Sequence, residues 1–177
     1  VLKGGNLLGL VLGVGERTSL DVDLSIEQEF LDIDDTKRRL FRALHDRFDA
    51  EGMVVFDERF EVIPPQGVPD ATPWWGGYQV EFKLLDRKTF EALGEKPQKR
   101  AIQARTISSY SQEKRFRIDI SKHEYCEKKV AIDVDGYTVY AYSPEMIAIE
   151  KLRALCQQMP EYPHLFKKRA RARDFYD

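Results

Sequence analysis

Two aspartates separated by one residue, Asp21 and Asp23, are the first side chains along this chain whose type and spacing could do chemistry. They sit in Leu20-Asp21-Val22-Asp23-Leu24, whose strict alternation of apolar and acidic residues predicts a half-buried strand. Residues two apart on a strand share a face, so both carboxylates project together while Leu20, Val22 and Leu24 turn to a core. Their Cα atoms would lie roughly 6.5–7 Å apart. That spacing suits a shared metal, or two metals about 3.5–4 Å from each other. A set of carboxylate oxygens with no His or Cys beside it favours Mg2+ or Mn2+ over zinc. The same pattern also fits a solvated strand face, although aspartate is a poor strand former and two on one short strand call for a reason.

Other positions carry comparable possibilities. Gly4-Gly5-Asn6 stands before an apolar helical stretch. Glycines allow close backbone approach to a phosphate, and a helix N-terminus offers free N–H groups; a plain strand–helix turn has the same look. Asp119 alternates with Ile118 and Ile120 and so faces away from them; if its strand neighbours that of Asp21, a third carboxylate joins the pair. Lys151 falls near the middle of a helical stripe formed by Ile147, Ala148, Ala154 and Leu155. A lysine there must snorkel, pair with a carboxylate or meet an anionic ligand such as a phosphate. Lys167, Lys168, Arg169, Arg171 and Arg173 form a basic run that reads as a solvated face or as an electrostatic site for a triphosphate or nucleic acid. His45, His123 and His164 have no ligand spacing, and Trp74-Trp75 lies in a Pro/Gly-rich loop, where it packs or stacks.

The elements that must position these residues follow from local signals. Val1–Lys3 reads as a strand end. Asn6 caps a helix through Leu12, stopped by Gly13 and Gly15. After the Leu20–Leu24 strand comes a helix over Thr36–Ala50, with Leu40, Leu44 and Phe48 at helical spacing and Gly52 as C-cap. Met53–Ile63 is β-rich, Pro64–Gly77 a loop, Tyr78–Leu85 a strand, Thr89–Leu93 a short helix and Gly94–Lys99 a loop. Arg115–Ser121 is a strand. Lys129–Val134 and Tyr137–Tyr142 flank Asp135-Gly136, a strong hairpin signal. Ser143-Pro144-Glu145 opens a helix with serine at the N-cap and proline at N1. A break at Pro160–Pro163 leads to a last helix from Leu165. Strands and helices alternate at first and strands then cluster, which predicts an α+β domain with a mixed β-sheet and flanking helices.

The chain has 177 residues, 42% hydrophobic and 33% charged, with a formal net charge of −2. It is long and apolar enough for a real core, so global disorder is excluded. Its near-neutral charge supplies no global field toward nucleic acid or a membrane surface. No run approaches the roughly 20 apolar residues of a membrane span, and no signal peptide is recognised. Cys126 and Cys156 are too few for a disulfide framework and point to a reduced, cytoplasmic chain, with a single bridge as the alternative. Val1 opens within a strand and Asp177 ends within a helix, which predicts flanking sequence at both ends.

The order of the motifs is more specific than any one of them. Leu2-Lys3-Gly4-Gly5, an apolar helix, and then Arg17-Thr18-Ser19-Leu20-Asp21-Val22-Asp23-Leu24-Ser25 resemble the opening of the AbiEii/AbiGii-type nucleotidyltransferases. These are toxins of type IV toxin–antitoxin modules, in the polymerase-β-like superfamily. Tyr142-Ser143-Pro144-Glu145 with Glu150-Lys151-Leu152-Arg153-Ala154-Leu155 resembles the family's lysine helix, and Arg171-Ala172-Arg173-Asp174-Phe175-Tyr176-Asp177 its closing Arg-Asp-x-x-Asp helix. Residues 55–110 contribute little. The resemblance implies a nucleotidyltransferase fold, with a core over 1–142 and C-terminal helices over 143–177 packed on it as the start of a helical region. It implies that Gly4, Gly5 and Asn6 hold the triphosphate, with Arg17, Ser19 and Lys151 also on the nucleotide. Asp21 and Asp23 would bind the catalytic metals with Asp119 as third ligand, and Asp174 would complete the active site. The implied reaction moves an NMP from an NTP to a hydroxyl of an RNA such as tRNA, or of a protein. A cognate antitoxin is the implied partner. The family usually carries Ser or Thr after the two glycines; Asn6 stands there in this chain, which leaves a binding-only relative as an alternative. A third reading is a module whose basic last helix binds nucleic acid or an acidic antitoxin.

Overall fold

A computed structural model of the chain describes residues 1–5, 7, 21–64, 76–106 and 114–159. The chain divides into two compact units, one of Ser19–Glu124 and one of Val1–Thr18 with Tyr125–Asp177.

The Ser19–Glu124 unit is built on β2 (Asp21–Ser25), β3 (Met53–Ile63), β4 (Gly77–Asp86) and β5 (Phe116–Ser121), in the spatial order β3-β4-β5-β2. The pairs β3–β4 and β4–β5 are antiparallel and β5–β2 is parallel, so the sheet is mixed as predicted. Gly77 sits directly against β5, where a Cβ would come within 1.9 Å of the Ile120 carbonyl oxygen, so only glycine fits. Helix α1 (Ile33–Ala50) begins three residues before the predicted start. Asp32 is its N-cap, because the Asp32 carboxylate accepts from the Asp35 N–H at 2.8 Å and so satisfies an otherwise orphaned donor. Gly52 follows the helix at φ 71°, as a C-terminal glycine does.

One face of this sheet is apolar. Tyr78, Val80 and Ile120 are buried there with Leu24, Leu40, Phe41, Phe60 and Ile118 against them. Met53, Val55, Phe82 and Leu84 form a second cluster under Leu44 and Phe48. The helical spacing of Leu40, Leu44 and Phe48 thus lays α1 along the strands, where these three side chains are half-buried against the strand clusters. Beyond β4, α2 (Arg87–Leu93) is the predicted short helix, two residues longer. The predicted loop over Gly94–Lys99 is corrected: α3 (Pro97–Gln103) starts inside it, with Pro97 at its first turn, where a missing N–H removes nothing.

In the other unit, β1 (Leu2–Lys3) runs parallel to β7 (Tyr137–Ala141), which pairs antiparallel with β6 (Val130–Val134). The β6–β7 turn is the predicted one. Asp135 and Gly136 take φ 53° and 82°, the paired left-handed conformation that a two-residue hairpin demands. Helix α4 (Pro144–Cys156) is capped by Ser143, whose hydroxyl accepts from the Met146 N–H at 3.3 Å. Neither Cys126 nor Cys156 is in a disulfide. Among the described residues no helix is long and apolar enough to cross a membrane.

Candidate functional site

The face of the β3-β4-β5-β2 sheet opposite the α1 core is polar, and register organises it into rows across the strands. Asp23 lies opposite Asp119, Asp119 opposite Gln79, and Gln79 opposite Glu61. One register step along, Asp21 lies opposite Arg117, Arg117 opposite Glu81, and Glu81 opposite Arg59. The alternation around Asp21, Asp23 and Asp119 predicted which face each would take, and the parallel pairing of β2 with β5 makes Asp119 the direct neighbour of Asp23.

The two rows differ in charge. In the second, Glu81 receives Arg117 at 3.4 Å and Arg59 at 3.9 Å, with Arg115 reaching it from the next row at 3.6 Å. A further ion-paired group continues beyond it. Asp57 occupies the irregular stretch of β3 between Phe56 and Arg59 and binds Lys83 at 2.8 Å and Arg115 at 2.5 Å. Burial pushes the Asp57 carboxyl up, but Lys83 and Arg115 together hold it below the ordinary carboxylate range. The first row has no cation. Gln79 donates from Nε2 to Asp119 Oδ1 at 2.9 Å, in a partly buried position, and the row's remaining members are carboxylates.

No group of three His, Cys, Asp or Glu side chains among the described residues is arranged as a ready-made metal cage. The donor set nonetheless fits a hard cation, because it consists of carboxylate oxygens on one face. Mg2+ is commonly held by one or two carboxylates and completes its octahedron with water and substrate phosphates.

In the other unit, Gly4 takes φ 73°, a conformation that favours glycine, and Leu7 beyond it is fully buried. The buried face of α4 carries Met146, Ile147 and Ala154, whereas Ala148 is exposed. The stripe is therefore rotated by roughly 80° from the predicted one. Lys151 stands half-buried at its edge rather than at its centre, and Glu150 comes into it. The reason is a partner the sequence reading missed: Lys3 is buried on β1 and pairs with Glu150 at 3.3 Å. A lysine on a two-residue strand could not be assigned a half-buried carboxylate about 150 positions away by local pattern. The same limitation hid Gln79, Glu81 and Arg117. Their alternation was visible, but their neighbours depend on register.

Asn6, Arg17, Ser19 and Asp174 lie outside the described residues, as do Trp74-Trp75, His164 and the basic run Lys167–Arg173. The other two histidines face carboxylates: His45 Nε2 contacts Glu58 Oε1, and His123 Nε2 lies 3.4 Å from Glu29 Oε1.

Among solved structures, the crystal structure of JHP933 from Helicobacter pylori is similar to the chain, with 18% identity and a TM-score of 0.45 over 100% of this chain and 55% of that one. The chain therefore spans about half the length of that protein. No curated protein matches it. The model of the family described as nucleotidyl transferase AbiEii toxin, type IV toxin–antitoxin system, matches residues 1–177, and the chain belongs to that family.

Proposed function

We propose that this chain is a divalent-metal-dependent nucleotidyltransferase that moves an NMP from an NTP to an acceptor hydroxyl, acting as the toxin of a toxin–antitoxin or phage-defence module in the cytoplasm. The observation that carries the reading is the in-register pairing of Asp23 with Asp119 on the face that also bears Asp21. Family membership supports the reaction class.

In this reading Asp21, Asp23 and Asp119 hold Mg2+ or Mn2+. When bound, the metal lowers the pKa of the acceptor hydroxyl and neutralises charge developing on the phosphate. The acceptor oxygen forms a bond to the α-phosphorus, the bond from that phosphorus to the bridging oxygen breaks, and pyrophosphate leaves. The chain's own residues bind and orient. Gly4, Gly5 and Asn6 offer backbone and amide donors to the triphosphate, Arg17 and Ser19 add contacts to the nucleotide, and Lys151 supplies a fixed positive charge to a phosphate. Asp174 completes the site. Phosphoryl transfer needs little covalent chemistry from the protein, so positioning and charge carry the rate. RNA such as tRNA is the proposed acceptor, with a protein hydroxyl as the rival, and a cognate antitoxin protein is the proposed partner.

The test is titration of each of the four NTPs with Mg2+ into wild type and Asp21→Ala, followed by labelled-NTP transfer to an RNA pool and a protein pool. Binding that needs both metal and Asp21, with label appearing on an acceptor, supports the reading. Full transfer by Asp21→Ala or Asp23→Ala refutes it. Asn6 favours a second reading, nucleotide binding without transfer, for which metal-dependent binding would occur with no pyrophosphate release against either pool.

A further inference from the structure

Charge is unevenly distributed along this chain. Residues 83–117 hold ten lysines and arginines against four acidic residues, a net of +6, in a protein whose formal net charge is −2. The fold gathers the described members of this stretch at one end of the polar sheet face. Helices α2 and α3 are fastened over that end. Phe90 of α2 packs on Phe56 of β3 with ring centroids 5.7 Å apart, and the Arg100 guanidinium of α3 lies 3.6 Å from the centre of the Phe90 ring. The Lys114 ammonium, just before β5, donates to the Ile102 carbonyl, and the Arg105 N–H donates to the Leu84 carbonyl of β4 at 2.8 Å. Lys88, Lys96, Lys99 and Arg105 stand exposed on this cap, and among the described residues Lys88, Lys96 and Lys99 are in no ion pair.

The strands beside the cap continue the same charge. Asp57 is shared by Lys83 and Arg115, and Glu81 by Arg59, Arg115 and Arg117, so four cations face two carboxylates. Arg59 and Arg117 remain about half exposed. A guanidinium carries five donors, so each can bind a phosphate while keeping its contact to Glu81. We infer that this surface, the exposed lysines of α2 and α3 together with Arg59 and Arg117, docks RNA through its phosphate backbone. The three in-register carboxylates of the row through Asp23 repel a phosphate, so the track runs up to that row without crossing it. Gln98 and Gln103 are exposed beside Lys99 on α3. Their amides suit the 2′-hydroxyls and base edges of RNA, which an acidic polypeptide does not offer. The surface is separate in sequence from the basic run Lys167–Arg173. Binding stands on charge; that the bound RNA is the acceptor rests on the nucleotidyltransferase reading.

Fluorescence anisotropy of labelled bulk tRNA, without NTP or added metal, tests this over a salt series from about 50 to 200 mM. Wild type is compared with the triple variant Lys88→Gln, Lys96→Gln, Lys99→Gln. The control is Lys37→Gln, Arg38→Gln, Arg39→Gln, which removes the same charge from the exposed side of α1, on the opposite sheet face. Each protein is checked for folding by circular dichroism and urea midpoint. Wild type is expected to bind with an affinity that falls steeply with salt. The α2–α3 variant should bind about 10–100-fold more weakly, with a log–log salt slope shallower by about 2–3. The α1 variant should stay within about 3-fold of wild type, because charges beyond the roughly 8–10 Å screening length contribute little. Equal losses in the two triple variants make the effect one of net charge and overturn the surface, as does a wild type that does not bind RNA. Unlabelled duplex DNA or poly-glutamate that displaces the label as well as tRNA does overturns the assignment to RNA. If the α2–α3 variant does not fold, Lys99→Glu decides by the same criterion. RNA binding with the expected pattern supports the surface whether or not NMP transfer is seen, so its failure and that of the proposed reaction are separable.

Discussion

The two rows on the polar face of the β3-β4-β5-β2 sheet are one register step apart and share strands, yet they settle their charge in opposite ways. The row through Asp21 alternates carboxylate and guanidinium: Asp21, Arg117, Glu81, Arg59. The row through Asp23 places Asp119 and Glu61 with it and adds only the amide of Gln79. Across a sheet, opposite charges in register stabilise by a few tenths to about 1 kcal/mol and like charges destabilise by similar amounts. The row through Asp21 is therefore arranged as a stabilising element, whereas the in-register positions of the row through Asp23 are three carboxylates and one amide. Asp21 stands where they meet, two residues from Asp23 on the same face and opposite Arg117. Arg117 itself is incompletely used: its Nε is buried without a hydrogen-bond partner, while its terminal nitrogen reaches Glu81.

Substitutions that separate the rows by function should show the largest effects. Asp23→Ala is expected to lower NMP transfer by about 10²–10³-fold or more, measured with labelled NTP, while the variant still folds cooperatively in urea titration. A sharp fall in midpoint would instead make the acid row structural. Glu81→Ala should do the reverse. It removes the Glu81 partner of Arg117 and Arg59 and one of the two carboxylates on Arg115, which keeps Asp57, so a loss of about 1–2 kcal/mol is expected from urea titration, and the folded fraction should keep metal-dependent nucleotide binding. Asp32→Ala, at the cap of α1 and away from both rows, should cost about 1 kcal/mol and leave nucleotide binding unchanged.

The pH response sharpens the contrast further and is the smallest expected effect. Lys83 and Arg115 depress the Asp57 carboxyl in the folded state. A depressed carboxylate stabilises the fold above its unfolded pKa of about 3.9 and loses that contribution as pH falls through the lower folded value. Stability should therefore fall in acid below about pH 4, and Asp57→Asn should flatten that part of the profile, followed by circular dichroism. A profile unchanged by Asp57→Asn would remove the ion-paired group from the list of what holds this face.

Much of the fold was legible in local pattern. The hairpin at Asp135-Gly136, the Ser143 cap, the extent of Met53–Ile63 and the facing of Asp21, Asp23 and Asp119 follow from turn chemistry and from the two-residue period of a strand. The misreadings have equally local causes. Pro97 was taken with its neighbours as loop, though proline is well suited to a first helical turn. Hydrophobicity alone sets the predicted stripe around Lys151, without the pairing of buried Lys3 with half-buried Glu150 that turns Glu150 inward.

The amino-acid sequence by itself determined which side chains alternate, which face of each strand is acidic, and to which family the ordered motifs belong. Only the tertiary structure decided which strands became neighbours and in what register. Asp119 lies about 100 residues beyond Asp23, and no local propensity carries that distance. Burial of Val80, Ile118 and Ile120 under α1 is what selects the pairing, because a slip by one residue would turn every apolar side chain of the strand to the wrong face. The same constraint sets Gln79 beside Asp119 and Arg117 beside Asp21. The charge pattern of the candidate site is thus a consequence of how the opposite face packs.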